Sequence, residues 1–330
     1  CTTNLPTPTI ADGSDYFDAK IWTGNGSSQS ISGFEFSPDL VWIKQRSTVE
    51  HHALYDIIRG ATNQLYSNLT NAETTQSTTM TAFNSDGFSV GSDDKVNENG
   101  QSHVAWAWDA GSSTVSNTDG SITSSVRANA SAGFSIATFT TPSSGTFTFG
   151  HGLSAAPELV LAKARNQSYS WIVYAKPVGN DKYLVLNTTA AAASGAVWND
   201  TTPTSSVVSG NASNFGTSTD YVAYCISPVA GYSAVGSYEG NGSSDGPFVF
   251  LGFRPALVIC KPTTTTGSWQ INDSARNTFN VVDEQLFAES SVAKTTTTNR
   301  YIDFLSNGFK VRGDNLSFNG SGHTYVYLAF

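Results

Sequence analysis

The sequence has few charged residues, one methionine and three cysteines. Asp, Glu, Lys and Arg make up 13% of its 330 residues, and the only methionine is Met80. Cys1, Cys225 and Cys260 are too few for a network of disulfides, and none has the spacing of a zinc site. Cys225 and Cys260 fall within apolar runs, which predicts buried thiols. Scarce charge with abundant Gly, Ser, Thr and Asn disfavours helices and favours short strands joined by polar turns.

Basic residues and long hydrophobic runs are also scarce. The 17 Lys and Arg are scattered and are outnumbered by 26 Asp and Glu, which gives a formal net charge of −9. Because binding to nucleic acid requires clustered basic side chains, we expect no nucleic-acid partner. No run of about 18 apolar residues occurs, so we also expect no membrane-spanning segment. The acidic, sparsely charged composition is typical of an extracellular or virion protein.

One seven-residue motif occurs three times. It reads PDLVWIK, PELVLAK and PALVICK, beginning at Pro38, Pro157 and Pro255. Proline cannot donate a backbone hydrogen bond, so it marks the start of a strand, and the apolar run predicts a strand buried on both faces. The lysine is expected to mark the end of the buried run. An aromatic closing strand follows each motif, as HVAWAW, YVAYCI and YVYLAF, and the period of roughly 100 residues suits one β-sandwich.

A glycine-rich turn, GNGSS, precedes the motif in two of the three copies, at Gly24 and Gly240. The second copy has TTPSSG instead, which argues against a binding site that is repeated at this turn. Gly and Asn tolerate positive φ, so the turn is interpreted as a hairpin of the scaffold. Any binding site is therefore expected in loops where the copies differ.

These patterns predict an all-β fold of three tandem related β-sandwich units, jelly-roll or lectin-like, with little helix. The predicted arrangement is an N-terminal arm or linker at 1–16, sandwiches at 17–111, 132–228 and 229–330, and a polar linker at 112–131. The first residue, Cys1, fits either a trimmed end, which we favour, or the lipidated terminus of a lipoprotein.

Trp198, Asn199 and Asp200 are the candidate ligand site. Lectin-like sites stack an aromatic ring on the sugar and surround it with Asn, Asp and Gly groups from loops. Trp198 lies in GAVWNDTTP, the most loop-like tryptophan context, whereas other tryptophans fall within strand patterns that indicate core packing.

An oxygen-rich segment, VGSDDKVNENGQS, contains the candidate metal ligands Asp93, Asp94 and Asn97. Calcium prefers such oxygen ligands, but the spacing is not that of an EF-hand. Asn99-Gly100 is typical of a hairpin turn, so we favour a turn and keep calcium as the alternative. No other cofactor is expected.

No catalytic site is predicted. The GxSxG spacing occurs as GFSVG at Gly87 and GSSDG at Gly242, but neither stretch has the strand-to-helix pattern of a nucleophile elbow. The SxxK spacing occurs as SDDK at Ser92 and SVAK at Ser291, without the SDN and KTG motifs that accompany it in serine enzymes, and the chain lacks a phosphate-binding glycine loop. The adjacent His51 and His52 would point to opposite faces of a strand, and His103 occupies the position that Tyr221 has in the second copy. We therefore expect no enzyme activity. A glycan hydrolase stays as an alternative, because the fold and not the spacing brings paired carboxylates together.

Four stretches of the chain resemble a repeat domain of unassigned function found in large structural proteins of marine phages, including cyanophages and pelagiphages. They are FDAKIWTGNGSSQSISGFEFSPDLVWIKQRS, NSDGFSVGSDDKVNENGQSHVAWAWDAG, SNTDGSITSSVRANASAGFSIATFTT and VGSYEGNGSSDGPFVFLGFRPALVICK. The resemblance covers about residues 15–330. Such proteins are described as tail-fibre-like or adhesin-like, so the resemblance implies a virion-surface or extracellular location, a host-attachment role and no catalytic residues.

The expected function is that of a non-enzymatic structural and binding protein of a phage virion surface or tail fibre. Its expected partners are other copies of itself or virion proteins, together with a host-surface glycan that is bound without turnover. The alternative is a self-assembling subunit of an extracellular fibre, tube or capsid coat, in which the N-terminal arm contacts a neighbour by strand addition.

Overall fold

The computed structural model describes residues 9–330, whose regular secondary structure consists almost entirely of antiparallel strands. The all-β prediction is confirmed, since the α-helices among these residues are three four-residue turns. Cys1 and the first part of the predicted arm lie outside the described residues. Within residues 9–330 we find no helix with the length and apolar character needed to cross a membrane.

The strands fall into three groups along the chain, which we call the N-terminal segment (17–108), the middle segment (114–226) and the C-terminal segment (234–330). The N-terminal segment contains β1 (Phe17–Thr23), β2 (Gln29–Ser32), β3 (Leu40–Gln45), β4 (Ala53–Asp56), β5 (Asn63–Gln64), β6 (Thr74–Thr75), β7 (Met80–Asn84), β8 (Gly87–Val90), α1 (Asp94–Asn97) and β9 (Ser102–Trp108). The middle segment contains β10 (Thr114–Asn117), β11 (Ser124–Asn129), β12 (Phe134–Thr140), β13 (Thr146–Gly150), β14 (Leu159–Ala164), β15 (Ile172–Ala175), β16 (Lys182–Val185), β17 (Ala193–Ser194), β18 (Val207–Asn211), α2 (Ala212–Phe215) and β19 (Asp220–Ile226). The C-terminal segment contains β20 (Ala234–Glu239), β21 (Asp245–Phe250), β22 (Leu257–Pro262), β23 (Gln270–Asp273), β24 (Glu284–Phe287), β25 (Thr295–Thr296), β26 (Tyr301–Leu305), β27 (Gly308–Arg312), α3 (Leu316–Asn319) and β28 (Thr324–Ala329).

Each segment has a larger sheet and a smaller sheet, and the N-terminal segment has in addition the two-stranded sheet β5-β6. The larger sheets contain the orders β1-β9-β3-β4, β12-β19-β14-β15 and β20-β28-β22-β23, so the closing aromatic strand always pairs with the strand of the PxLVxxK motif. The smaller sheets are β2-β8-β7, β13-β18 and β21-β27-β26. The threefold sequence pattern predicts such matching orders, while the division into three related domains at the stated boundaries stays a prediction.

The PxLVxxK strands are buried on both faces, as predicted. In β3, Leu40 and Trp42 join an apolar core shared by all three segments, whereas Val41 and Ile43 pack in a core of the N-terminal segment alone. The motif strands β14 and β22 alternate in the same way between the shared core and a core of their own segment. Successive side chains of a strand point to opposite faces, so each motif strand contributes to two cores. The larger sheets therefore meet around one central core, and each smaller sheet covers the outer face of its own larger sheet.

The lysine that ends each motif is fully buried, so the prediction that it ends the buried run is wrong. The Nζ atom of Lys163 donates to the carbonyl oxygen of Thr70 in the N-terminal segment, at 3.1 Å. Lys261 donates to Ala190 O in the middle segment, at 2.7 Å. Burial lowers the pKa of each of these lysines to about 8. The stem of each of these two lysines packs inside its own segment, while its ammonium group donates to a backbone carbonyl of the preceding segment.

The predicted polar linker at 112–131 is not an unstructured bridge, because it contains β10 and β11. The strand β11 pairs with β12 in the register Val126↔Ala137 and extends the larger sheet of the middle segment. Val126 and Ser124 are buried while Ser125 is exposed, so an alternating strand is present. Because serine occurs on both faces of this hairpin, its composition resembles that of a polar linker.

Candidate functional site

The two GNGSS turns have the same backbone geometry. Gly26 and Gly242 adopt φ values of 68° and 67°, in the left-handed region that favours glycine. A Cβ on Gly24 would lie 2.2 Å from the carbonyl oxygen of Glu98, and one on Gly240 would meet backbone equally closely. Both glycines of the turn are therefore required by the fold.

A buried asparagine at the end of a short helix holds each of these turns. The Nδ2 atom of Asn97 donates to Asn25 Oδ1 at 3.0 Å and to Gly91 O at 2.8 Å, while its Oδ1 accepts from the backbone N–H of Asn25. Asn319 makes the matching contacts with Asn241 in the C-terminal segment. Since the amide groups are consumed within the fold, the turn is a structural clamp and not an exposed ligand site.

The structure gives the three candidate metal ligands separate roles. Asp93 caps α1 by accepting from the backbone N–H of Lys95, and its carboxylate also pairs with Lys95 Nζ at 2.8 Å. Asp94 is exposed, and Asn97 is the buried clamp. No cluster of three or more His, Cys, Asp or Glu side chains suited to a metal ion occurs in residues 9–330. A calcium site here stays a prediction, with Asp93 and Asn97 already occupied by structural contacts.

The structure also separates the members of the candidate ligand site. Trp198 is fully buried, and its ring packs edge-on against Tyr174 and Phe215 at centroid distances of 5.8 and 5.4 Å. Asn199 and Asp200 follow in a left-handed turn with φ values of 54° and 46°, and Asp200 is exposed. The buried indole presents no face to a sugar, which corrects the loop interpretation of Trp198. The short 3-10 turn at Ala196–Trp198 directs the ring inward.

His52, His103, Cys225 and Cys260 are core residues. Trp42 Nε1 donates to His52 Nδ1 at 2.9 Å, and burial holds the pKa of His52 well below its usual range. His103 stacks on Trp22 with ring centroids 5.2 Å apart, and burial lowers its pKa to about 4. Cys225 and Cys260 are buried as predicted, and burial raises the pKa of both thiols to about 12. These groups are neutral near pH 7 and enclosed.

An open cleft of about 630 Å³ lies where β11 faces the N-terminal segment. We call it the β11 cleft, and its walls include Phe36, Ser37, Asp109, Arg127 and Asn129. The β10–β11 hairpin belongs only to the middle segment among the described sheets. The cleft is therefore a place where the three segments differ, which is where the sequence pattern indicates that a binding site should lie.

Two ion and hydrogen-bond networks hold the polar side chains of the β11 cleft. Arg127 Nε lies 2.8 Å from Asp39 Oδ1, while Asp39 Oδ2 accepts from the backbone N–H of Ala110 at 2.8 Å. Burial raises the pKa of Asp39 to about 6, although Arg127 opposes this shift. Asp109 Oδ2 accepts from Asn129 Nδ2 at 2.8 Å. Asp39, Asp109 and Asn129 are thus held by hydrogen bonds within the fold, while Arg127 is held by its ion pair alone.

Sequence reasoning missed the β11 cleft. Arg127 and Asn129 lay within the predicted linker, and Asp39 is the variable residue of the first PxLVxxK motif. One local signal of this strand was present in the sequence. Ser124 and Val126 are small or apolar residues at alternate positions, which is the period of a half-buried strand.

A second surface that differs among the segments is the outer face of β21. Phe248 and Phe250 are 44% and 57% exposed, and they flank the buried Val249. In the N-terminal segment Ser30 and Ser32 flank Ile31 at the matching positions of β2, since Ile31 pairs with Phe88 and Val249 pairs with Phe309. The C-terminal segment alone carries this aromatic face, which we call the β21 face.

Comparison with known proteins gives one match. The sequence profile of a family described as a domain of unknown function, DUF7483, matches residues 12–330. No curated protein and no solved structure matches the chain.

Proposed function

The chain belongs to the DUF7483 family, and we propose that it is a non-enzymatic structural and binding protein of a phage virion surface or tail fibre. In this role it attaches to a host-surface glycan and contacts other copies of itself or other virion proteins. The observation that carries the glycan-binding part is the β11 cleft, with its Arg127, Asp109 and Asn129 side chains.

The chemistry of the β11 cleft suits a saccharide. Sugar hydroxyl groups both donate and accept hydrogen bonds, and the cleft offers a guanidinium donor, a carboxylate acceptor and an amide that does both. A volume of about 630 Å³ lies within the range of small-molecule sites. Phe36 adds an apolar element to the wall.

Binding without turnover is favoured because neither carboxyl group is free to act. Asp39 is only 1% exposed behind its ion pair with Arg127. Both oxygens of Asp109 accept hydrogen bonds, from the backbone N–H of Gly111 and from Asn129 Nδ2. A glycan hydrolase would need one carboxyl group as acid and a second as base or nucleophile.

A glycan array tests this proposal. The folded full chain is expected to bind a subset of glycans, and Arg127→Met is expected to abolish that binding. Arg254→Met is the matched control, because Arg254 is exposed and is not among the residues that line the cleft. The proposal is overturned if no glycan binds or if Arg127→Met binds as well as the natural chain. Release of shortened products from a bound glycan would favour the hydrolase.

The second candidate function is self-assembly into a fibre, tube or capsid coat. It is favoured by the β21 face, because contiguous exposed apolar residues mark protein interfaces. Phe279, which is 83% exposed, is a further exposed aromatic residue of the same segment. If the β21 face is an interface, the double variant Phe248→Ser with Phe250→Ser reduces the mass measured by light scattering. Serine is the residue found at the matching positions of β2, so the variant is expected to fold. Tyr169→Ser, at another exposed aromatic, is the control, and removal of residues 1–11 tests contacts through the arm.

A further inference from the structure

We infer that the β11 cleft selects neutral saccharides over acidic ones, and that the negative charge of Asp109 sets this selectivity. The inference rests on the proposed binding of glycans. It names the chemical class of ligand and a residue that discriminates between classes.

Strand pairing places the cleft side chains on one surface. Arg127 and Asn129 are two residues apart on β11, so both point to the same face of the sheet. Their partners, Asp39 and Asp109, lie just before β3 and just after β9, which are neighbouring strands of the N-terminal segment. The cleft is thus formed by two segments, and each of its sides carries one charged group that reaches the opening.

The donors of Arg127 are not used within the fold. Its Nε atom lies 2.8 Å from Asp39 Oδ1 as an ion pair, and none of the hydrogen bonds among residues 9–330 uses its guanidinium N–H groups. Asp39 therefore keeps the guanidinium nearby through its charge, while its own carboxylate stays buried. The Nη groups of Arg127 are left as donors for a ligand.

The charges of the cleft do not favour an anion. The lining contains one cation, Arg127, and one anion, Asp109, and the buried Asp39 already neutralises the arginine. The three groups together carry one net negative charge. A ligand carboxylate that approached the Nη atoms would meet an arginine that is already paired, and it would be repelled by Asp109.

A neutral sugar satisfies the same groups without repulsion. Each carboxylate oxygen can accept two hydrogen bonds, so Asp109 can accept a further bond from a sugar hydroxyl. A neighbouring hydroxyl oxygen can accept from an Nη atom of Arg127. A pair of adjacent hydroxyl groups on a pyranose ring therefore matches this donor and acceptor pair.

The test compares matched neutral and acidic oligosaccharides by titration calorimetry. Galactan and galacturonan fragments of equal length differ at C6, where the acid carries a carboxylate. The natural chain is expected to bind the neutral fragment at least about tenfold more tightly, as one unit charge at close range implies. Asp109→Asn removes the negative charge and is expected to abolish most of this preference.

A double variant controls for the hydrogen bond between positions 109 and 129. Asp109→Asn with Asn129→Asp exchanges the two side chains, so it keeps the bond and the net charge and is expected to restore the preference. Asp119→Asn removes the same charge from the turn of the same hairpin and is expected to change nothing.

The outcomes separate the two proposals. If neither fragment class nor any array glycan binds, the proposed function fails, and this inference fails with it. If the natural chain binds the acidic fragment as tightly as the neutral one, glycan binding stands and the selectivity is overturned. If the single and double variants behave alike, the negative charge is not the determinant and the role given to Asp109 is overturned.

Discussion

The ammonium group of Lys44 donates a hydrogen bond to the carbonyl oxygen of Ser291, at 3.3 Å, across 247 positions of the chain. Lys163 contacts Thr70 in the same way and Lys261 contacts Thr189, so each segment reaches one neighbour. The contact of Lys44 joins the first segment to the last. The three segments thus form a closed ring, in which the terminal segments touch as the consecutive ones do.

Backbone hydrogen bonds also join neighbouring segments of the ring. The N–H of Glu73 donates to Arg165 O at 2.7 Å, and the N–H of Lys294 donates to Arg46 O at 2.8 Å. Ion pairs cross two of the junctions, between Arg165 and Glu73 and between Arg46 and Glu284. Among residues 9–330 no ion pair crosses the junction of the middle and C-terminal segments, so that junction depends on hydrogen bonds and apolar packing.

The first prediction concerns the buried lysines. Lys163→Met leaves the carbonyl oxygens of Thr70 and Ala164 without their donor, and we expect the free energy of unfolding in urea to fall by about 1–3 kcal/mol. Lys182→Met, at an exposed position of β16, is the control and is expected to change the free energy of unfolding by less than about 0.5 kcal/mol. Equal effects of the two substitutions would contradict a structural role for the junction contact.

The second prediction concerns pH. Burial lowers the pKa of Lys163 to about 8 from the ordinary 10.5, so between these values the unfolded chain holds a proton that the folded chain has lost. Stability therefore rises with pH in this window. We expect the stability difference between the natural chain and Lys163→Met, measured in urea at pH 7.5, 8.5 and 9.5, to grow in favour of the natural chain. A difference that stays constant over this range would refute the assigned sign.

The third prediction concerns the clamp of the GNGSS turn. Asn97→Ala removes a buried amide that bonds Asn25 and Gly91, and we expect a loss of about 2–4 kcal/mol in the free energy of unfolding. Asn319→Ala is expected to match it, because its contacts are the same. Asn214→Ala, at an exposed position of α2, is the control and is expected to lower the free energy of unfolding by less than about 1 kcal/mol.

The fourth prediction concerns the closed ring. The rings of Phe17 and Phe330 stack with centroids 5.1 Å apart, so a short linker can join the end of the chain to its first strand. A circular permutant opened between Pro228 and Gly231, at the junction without ion pairs, is expected to fold with nearly unchanged circular dichroism. The isolated C-terminal segment, 234–330, is expected to stay unfolded because it loses contacts such as Trp106 Nε1 to Asp273 Oδ2. A folded isolated segment would show that the ring is not needed.

Much of the fold follows from short-range pattern. The run after Pro38 is apolar at consecutive positions, which predicts a strand buried on both faces, and β3 has that burial. The buried position that Phe88 fills opposite Ile31 is filled in the middle segment by Val208, opposite Phe149.

The candidate site depended on long-range contacts that no local pattern encodes. The two sides of the β11 cleft carry Phe36 and Arg127, which lie in different segments, and the hairpin that carries Arg127 had the composition of a linker. Trp198 had a loop-like neighbourhood, yet its ring is buried because Tyr174 of β15 and Phe215 of α2 pack against it.

The sequence by itself determined the all-β fold class, the scaffold role of the glycine-rich turn and the recurring strand motif. These features depend on the alternation of side chains and on turn residues, which act between near neighbours in the chain. The tertiary structure alone decided that the motif lysines are buried and that the segments close into a ring. A lysine on an apolar strand finds its carbonyl partners only when another segment packs beside it, and its burial is tolerable only because those partners are there.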